Sequence, residues 1–330
     1  MKIKLIKKPN SALALSCILV ILLYGCSRRE DWFDSTSLSS DGSRVYVIHH
    51  STDESNLLMI NLNSESSSPI KIAAGENPIE VTAGIGSSFA IVNRKKLQKK
   101  DGNKRGLYIL SKYSDAINPK IDEIARSDIF IGSVIETESE KYAFQLGTDI
   151  LPSGRSISKF VERGPKTPLR YLSEKNYGYK FGISLVNENL IFLTGEKNLA
   201  GKSKLEIIKL KTNAVVPFFL DEHFSRNSTQ FGCSRSNDVC FSITPYSPSG
   251  VHNSSHRLLF TKENITCDLK IPFYWIEFPS ISSDGRRFAF ITPDDAKVSP
   301  VGVGTRKLIV VDLYINSCGY TYKQFQLKGK

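Results

Sequence analysis

The sequence predicts an all-β fold: six four-stranded antiparallel sheets arrayed around a ring as a six-bladed β-propeller. Three observations predict it. SLSSDGSRVYVI (residues 37–48) and SISSDGRRFAFI (280–291) match at opposite ends of the chain, each reading as strand, tight turn, strand. The apolar strand that follows the turn recurs four times between them, at 87–92, 140–145, 188–193 and 237–243. Two methionines, many serines and asparagines, and few alanine- or leucine-rich stretches argue against helices.

Taken in order, residues 1–25 read as a secretory signal. Lys2, Lys4, Lys7 and Lys8 make a basic head, and the apolar run Ala12–Leu23 is too short for a comfortable membrane span. The ending Leu23-Tyr24-Gly25-Cys26 resembles the lipobox of bacterial lipoproteins. That resemblance implies cleavage before Cys26, acylation of its thiol and new amine, and residues 26–31 as lipid site and short tether. With Ser27 next, lipoprotein sorting by the same resemblance points to the outer membrane, with the protein facing the periplasm. Several acyl chains on one cysteine hold far more firmly than one, at about 0.8 kcal/mol per buried methylene. Loss of the signal turns 44 basic against 33 acidic residues into 40 against 33. Such a mildly basic chain suits an anionic lipid surface or a polyanionic glycan better than nucleic acid.

The blades are expected over residues 32–328. Aligning the first large apolar residue of the post-turn strand gives Val45, Phe89, Tyr142, Leu190, Val239 and Phe288, spaced 44, 53, 48, 49 and 49 residues apart. After each comes a loop and a third apolar strand: NLLMINL, GLYILSK, SISKFVE, KLEIIKL, HRLLFTK and KLIVVDL. A shorter fourth strand follows, such as PIKIA, AVVPFFL or YTYKQFQL. One such sheet cannot bury both faces, and radial stacking of six buries them against each other. WFDSTSL of the first repeat matches WIEFPSI of the last, so each end blade owns its first strand and closure is expected by packing. Asp41 and Asp284 are expected to bond their own turn amides.

The turns Ser39-Ser40-Asp41-Gly42 and Ser282-Ser283-Asp284-Gly285 before an apolar strand resemble the TolB-type, WD40-like propeller repeat. Serine stands in both where that repeat usually has proline. The amino-terminal α/β domain of TolB has no counterpart, so the resemblance implies a propeller and carries no function over.

Topology separates the loops. First-to-second turns are tight, whereas the second-to-third loops are long: HHSTDESN, NRKKLQKKDGNKR, LGTDILPSGR, TGEKNLAGKS, TPYSPSGVHNSSH and TPDDAKVSPVGVGTR. Loops over a rigid scaffold are where binding sites collect. In the second of them Arg94, Lys95, Lys96, Lys99, Lys100, Lys104 and Arg105 stand against Asp101 alone, which points to an anionic surface. Without interleaved aromatics it does not support base stacking, and nucleic acid is not an expected partner. A possible rim site gathers His49, His50, Asp149, His252, His256, Asp294, Asp295 and Arg306 from these loops for acid–base or divalent-ion chemistry. The spacing of His252 and His256 falls in loop sequence and does not make a helical metal pair. No nucleophile elbow or phosphate loop is present, and no cofactor or metal is expected.

Beyond Cys17 in the signal and Cys26, four cysteines remain, an even number that suits an oxidising compartment. Cys233 and Cys240 oppose each other if the chain turns at Ser236-Asn237, which puts their α-carbons about 4.5–5.5 Å apart, within disulfide reach. Pairing of Cys267 with Cys318 is left open. The functional expectation is a lipid-anchored, non-catalytic envelope propeller that binds a protein, peptide or glycan on its loop-rich face. The alternative is a polysaccharide lyase or hydrolase using the rim and central channel.

Overall fold

A computed structural model describes residues 32–51, 55–70, 77–97, 105–115, 120–138, 140–151, 156–178, 183–197, 203–219, 230–236, 239–246, 255–262, 265–273, 275–293 and 306–327. Blade 1 is β1 (Trp32–Leu38), β2 (Arg44–His50), β3 (Ser55–Asn61) and β4 (Ser66–Ile70). Blade 2 is β5 (Asn77–Ala83), β6 (Phe89–Leu97), β7 (Arg105–Tyr113) and β8 (Ile121–Ser127). Blade 3 is β9 (Ile131–Glu136), β10 (Tyr142–Ile150), β11 (Ser156–Arg163) and β12 (Arg170–Tyr171). Blade 4 is β13 (Ile183–Val186), β14 (Asn189–Lys197), β15 (Ser203–Lys209) and β16 (Ala214–Phe219). Blade 5 is β17 (Gln230–Cys233), β18 (Cys240–Tyr246), β19 (Ser255–Lys262) and β20 (Ile265–Leu269). Blade 6 is β21 (Glu277–Ile281), β22 (Arg287–Pro293), β23 (Arg306–Tyr314) and β24 (Gly319–Leu327). Every ladder is antiparallel and each sheet holds four sequence-consecutive strands. The chain is therefore a six-bladed propeller, and among the described residues no strand is exchanged between its first and last blades. One 3₁₀ turn, Ile315–Ser317, is the single helical element among the described residues.

The two Asp-Gly turns fold alike. Asp41 Oδ1 accepts the Ser43 amide at 3.0 Å, and Asp284 Oδ1 accepts the Arg286 amide at 3.1 Å. Gly42 and Gly285 take φ of 68° and 70°, a region that favours glycine. The expected tight turn is four residues wide. Ser39 N–H donates to the Arg44 carbonyl at 2.9 Å, enclosing four residues. The hydroxyls explain the width: Ser39 Oγ accepts the Arg44 amide and Ser282 Oγ accepts the Arg287 amide, each at 2.9 Å. Blade 5 repeats the device, with Ser234 Oγ accepting the Val239 amide at 3.0 Å.

Alternation along each middle strand sends successive side chains to opposite neighbours. In β22, Phe288 and Phe290 pack toward blade 5, while Ala289 and Ile291 pack toward blade 1. The core is thus a set of slabs between blades rather than one central mass. Cys233 and Cys240 face each other in the β17–β18 ladder and are bonded. Their α-carbons are 3.9 Å apart, nearer than the expected spacing. Cys267 of blade 5 is bonded to Cys318 beside the start of β24, so the pairing left open by the sequence links two blades.

Candidate functional site

The antiparallel order puts the second-to-third connections, the blade-to-blade connections and the start of each first strand on one face. Trp32 pairs with His50, so the chain also enters blade 1 on that face. The ladders run further into the long connections than the loop assignments above expected, because backbone pairing continues past the apolar stretch. His49 and His50 end β2, Asp149 lies in β10 opposite Ile157, His256 lies in β19 opposite Pro245, and Arg306 begins β23. His252, Asp294 and Asp295 lie outside the described residues, as do Cys26 and residues 1–25.

The rim residues come from different blades. His49 is buried and stacks on Phe33 with ring centroids 4.7 Å apart, and His50 Nδ1 lies 2.7 Å from Ser55 Oγ. Arg306 is buried and paired with Glu277 of the innermost strand of its own blade. Blades 6 and 1 adjoin, so these groups share one sector. Asp149 sits across the ring in blade 3, exposed, with Oδ1 accepting the amide of Ile150 at 2.7 Å. His256 is in blade 5.

The basic segment is also reshaped. Arg94, Lys95 and Lys96 belong to β6 and Arg105 to β7, in a ladder that continues to the Leu97–Arg105 pair. Alternation sends Arg94 and Lys95 to opposite faces of the hairpin. Arg94 lies over the Tyr108 ring, 5.7 Å from its centroid, and Gly106 makes room for it: a Cβ there would fall 2.7 Å from Arg94 Nε. Lys99, Lys100 and Lys104 lie outside the described residues.

The channel is lined by the first strands, and their side chains bond to the backbone of the next blade. Ser37 Oγ accepts the Ala83 amide at 2.7 Å, and Ser184 Oγ accepts the Cys233 amide at 2.8 Å. Glu80 accepts the amides of Ser133 and Val134 at 2.9 and 2.7 Å. Thr36 Oγ1 donates to the Phe278 carbonyl across the junction of blades 6 and 1. Bulges make these reaches possible. Ser35, Ser133 and Phe278 have φ near 50° beside register shifts in β1, β9 and β21.

At the tight-turn mouth of the channel sit two groups that sequence reasoning missed. Glu136 ends β9, is buried, and accepts the Ile85 amide from blade 2. Burial pushes its carboxyl above the ordinary glutamate range, against the lowering influence of that hydrogen bond, Lys112 and Arg235. Arg235 leaves the blade 5 turn, passes blade 4, and donates from Nη2 to the Thr137 carbonyl of blade 3 at 2.6 Å. Burial lowers its pKa, opposed by the charge of Glu136. The one available signal was an acid closing an otherwise apolar inner strand, IGSVIE. Nothing in the spacing ties it to residue 235.

The tight-turn face also carries a groove of about 590 Å³ between blades 6 and 1, lined by Asp41, Asp284, Arg286, Arg287, Asp312 and Tyr314. Its charges are largely engaged: Arg287 pairs with Asp312 at 2.7 Å and donates to the Gly42 carbonyl at 2.7 Å.

No family model and no curated protein matches this chain. Solved structures do. Oligogalacturonate lyase from Vibrio parahaemolyticus aligns over 86% of this chain and 89% of its own, at 10% identity and a TM-score of 0.52. The β-propeller domain of the Trilobed protease from Pyrococcus furiosus, described as having an open velcro topology, aligns over 89% and 83%, at 13% identity and a TM-score of 0.53. TolB from Acinetobacter baumannii aligns over 83% and 67%, at 12% identity and a TM-score of 0.46. At such identities the first two likenesses establish a shared propeller fold and nothing finer.

Proposed function

We propose that this chain is a lipid-anchored, non-catalytic component of a bacterial cell envelope. It binds a protein, peptide or glycan on the face that carries the second-to-third connections. The observation that carries this reading is the pairing of Trp32 with His50, by which the chain enters the ring on that face. The anchor itself rests on the lipobox-like Leu23–Cys26 sequence, with residues 1–25 as signal and 26–31 as tether. Five residues between Cys26 and Trp32 span at most ~18 Å when extended. The connection-bearing face then stays close to the bilayer. The Arg94–Arg105 hairpin lies within or near a Debye length, about 8 Å at physiological salt, of anionic headgroups. Each basic residue held there is worth about 1 kcal/mol. The dispersal of the described rim residues over blades 1, 3, 5 and 6 supports a binding surface over the lyase or hydrolase alternative.

Two experiments test the reading. Cys26→Ala should move the protein from the membrane fraction to the soluble fraction, and unchanged fractionation removes the anchor. Replacing Lys95, Lys96, Lys99 and Lys100 with serine should weaken binding of the unlipidated chain to anionic vesicles, by an amount that shrinks as salt rises. Equal binding by both proteins at low salt removes the role of the hairpin.

A further inference from the structure

The six outermost strands form the outer sheet edges of the ring, and five of them are blunted. β4 is five residues long and contains Pro69, and β16 contains Pro217. β12 is two residues long. β8 carries Asp122, Glu123 and Arg126 and pairs with β7 through a register shift. β20 has five residues, including Asp268. Short strands, prolines, bulges and charges are the means by which sheet proteins keep their edges from pairing with other chains.

β24 has only one of these, the charge of Lys323. It is nine residues long, GYTYKQFQL, without proline, acid or register shift, and all nine pair with β23. Thr321 to Gln324 are exposed. Its side chains are already held from both sides. Tyr322 meets Phe273 with centroids 5.3 Å apart, and Tyr320 Oη donates to the Lys270 carbonyl at 2.9 Å. Toward blade 1, Lys323 pairs with Glu65 at 3.0 Å, and Leu327 is buried in the junction. The Cys267–Cys318 bond fixes the strand's start. A second strand would therefore meet an edge that needs no ordering. β24 carries Lys323 and no acid, so two copies of this edge would oppose like charges.

We infer that the outer edge of β24 is a strand-addition site for an extended, acidic segment of a partner protein. Main-chain ladder bonds provide the affinity, and Lys323 provides the preference for acidic side chains. The inference does not depend on the lipid anchor or on which face of the ring binds.

The test uses the full chain and three capped peptides matched to β24 in length: alternating glutamate and valine, alternating lysine and valine, and the glutamate peptide N-methylated at every residue. At low salt the glutamate peptide should bind and slow hydrogen exchange within residues 319–327. The lysine peptide should bind at least about tenfold more weakly. The N-methylated peptide should give no protection, because it cannot donate to a ladder. Lys323→Glu, at an exposed pair, should keep the melting temperature and weaken the glutamate peptide about tenfold. No protection of β24 by the glutamate peptide overturns the site. Binding that survives N-methylation overturns strand addition, and indifference to peptide charge or to Lys323→Glu overturns the acidic partner. Protection of the same amides on raising protein concentration alone also overturns it, in favour of a second copy.

Discussion

Two junctions of the ring are built in opposite ways. The seam between blades 6 and 1 closes the ring, with no exchanged strand among the described residues to hold it. Among the described residues it is nevertheless thickly packed, with eleven buried apolar residues that include Phe33, Val47, Ile291, Leu308 and Leu327. The junction between blades 4 and 5 lies within the continuous chain, and its described cluster holds only three: Leu205, Phe231 and Cys233. Each junction also has an arginine. Arg287 of blade 6 donates to the Gly42 carbonyl of blade 1 across the seam. Arg235 of blade 5 reaches past blade 4 to Thr137 of blade 3. The difference teaches where an open ring puts its packing. Among the described residues apolar packing does not follow chain continuity: the seam rivals the continuous blade 5–6 junction, whose cluster holds fourteen buried residues, and at the thin junction a polar staple spans the gap.

Matched truncations should separate the two. Leu308→Ala at the seam should cost about 4–5 kcal/mol, the upper end for a buried leucine. It should lower the urea midpoint of the whole domain. Leu205→Ala at the thin junction should cost about 2 kcal/mol and raise hydrogen exchange chiefly in β17 and β18. Equal costs would erase the asymmetry.

The disulfides extend the comparison. Cys267–Cys318 spans 51 residues and ties blade 5 to blade 6, whereas Cys233–Cys240 spans 7 and stays within one blade. On a chain-entropy account, replacing the first pair with serine should cost about 4 kcal/mol and the second about 2.5 kcal/mol. Peptide mapping without reduction should recover both bonds, and a free thiol at Cys240 would remove the shorter one.

The arginines come next in size. Arg287→Met and Arg235→Met should each cost about 1–2 kcal/mol, the range for a charged donor lost from a partly buried carbonyl. Arg235→Met should add to Leu205→Ala by more than the sum of the two changes, because both act on the hold of blade 5. Strict additivity would mean that the staple does not support that junction.

The frame of the ring is legible in the sequence because it depends on local chemistry. The Asp-Gly turns mark the first hairpin of blades 1 and 6, and two-residue alternation marks the second and third strands of all six. The Cys233–Cys240 pairing follows from the register of one hairpin. Strand ends are less legible. His49, Asp149 and Arg306 read as loop because polar residues at a rim carry no apolar signal, yet the backbone ladder continues through them. β12 is short because beyond Tyr171 the chain touches β11 only at intervals: Leu172 N–H donates to the Phe160 carbonyl, and Tyr177 and Ser158 exchange both backbone bonds as an isolated bridge. The channel mouth is not legible at all. Glu136 and Arg235 are about a hundred positions apart and in non-adjacent blades, and only the curvature of the closed ring brings them near each other.

Glu136 supplies the smallest and most specific prediction. Its folded pKa is raised, with burial as the largest cause, while the unfolded chain keeps the ordinary glutamate value near 4.5. Between those two values the folded protein holds more protons than the unfolded one. Stability from this group is therefore fully present below the ordinary value and declines as pH rises through the raised one. Glu136→Gln keeps an oxygen for the Ile85 amide and cannot ionise. The variant should match the parent most closely near pH 4 and become the relatively more stable of the two toward pH 7, by less than ~1 kcal/mol. Urea midpoints of both proteins across that range measure it. The same series in an Arg235→Met background should show a larger gain for glutamine, since the charge that helps to hold the carboxylate is gone. A difference that stays flat with pH, with or without Arg235, would mean that the mouth of the channel leaves Glu136 as well hydrated as a surface carboxylate, and the staple would then stand alone.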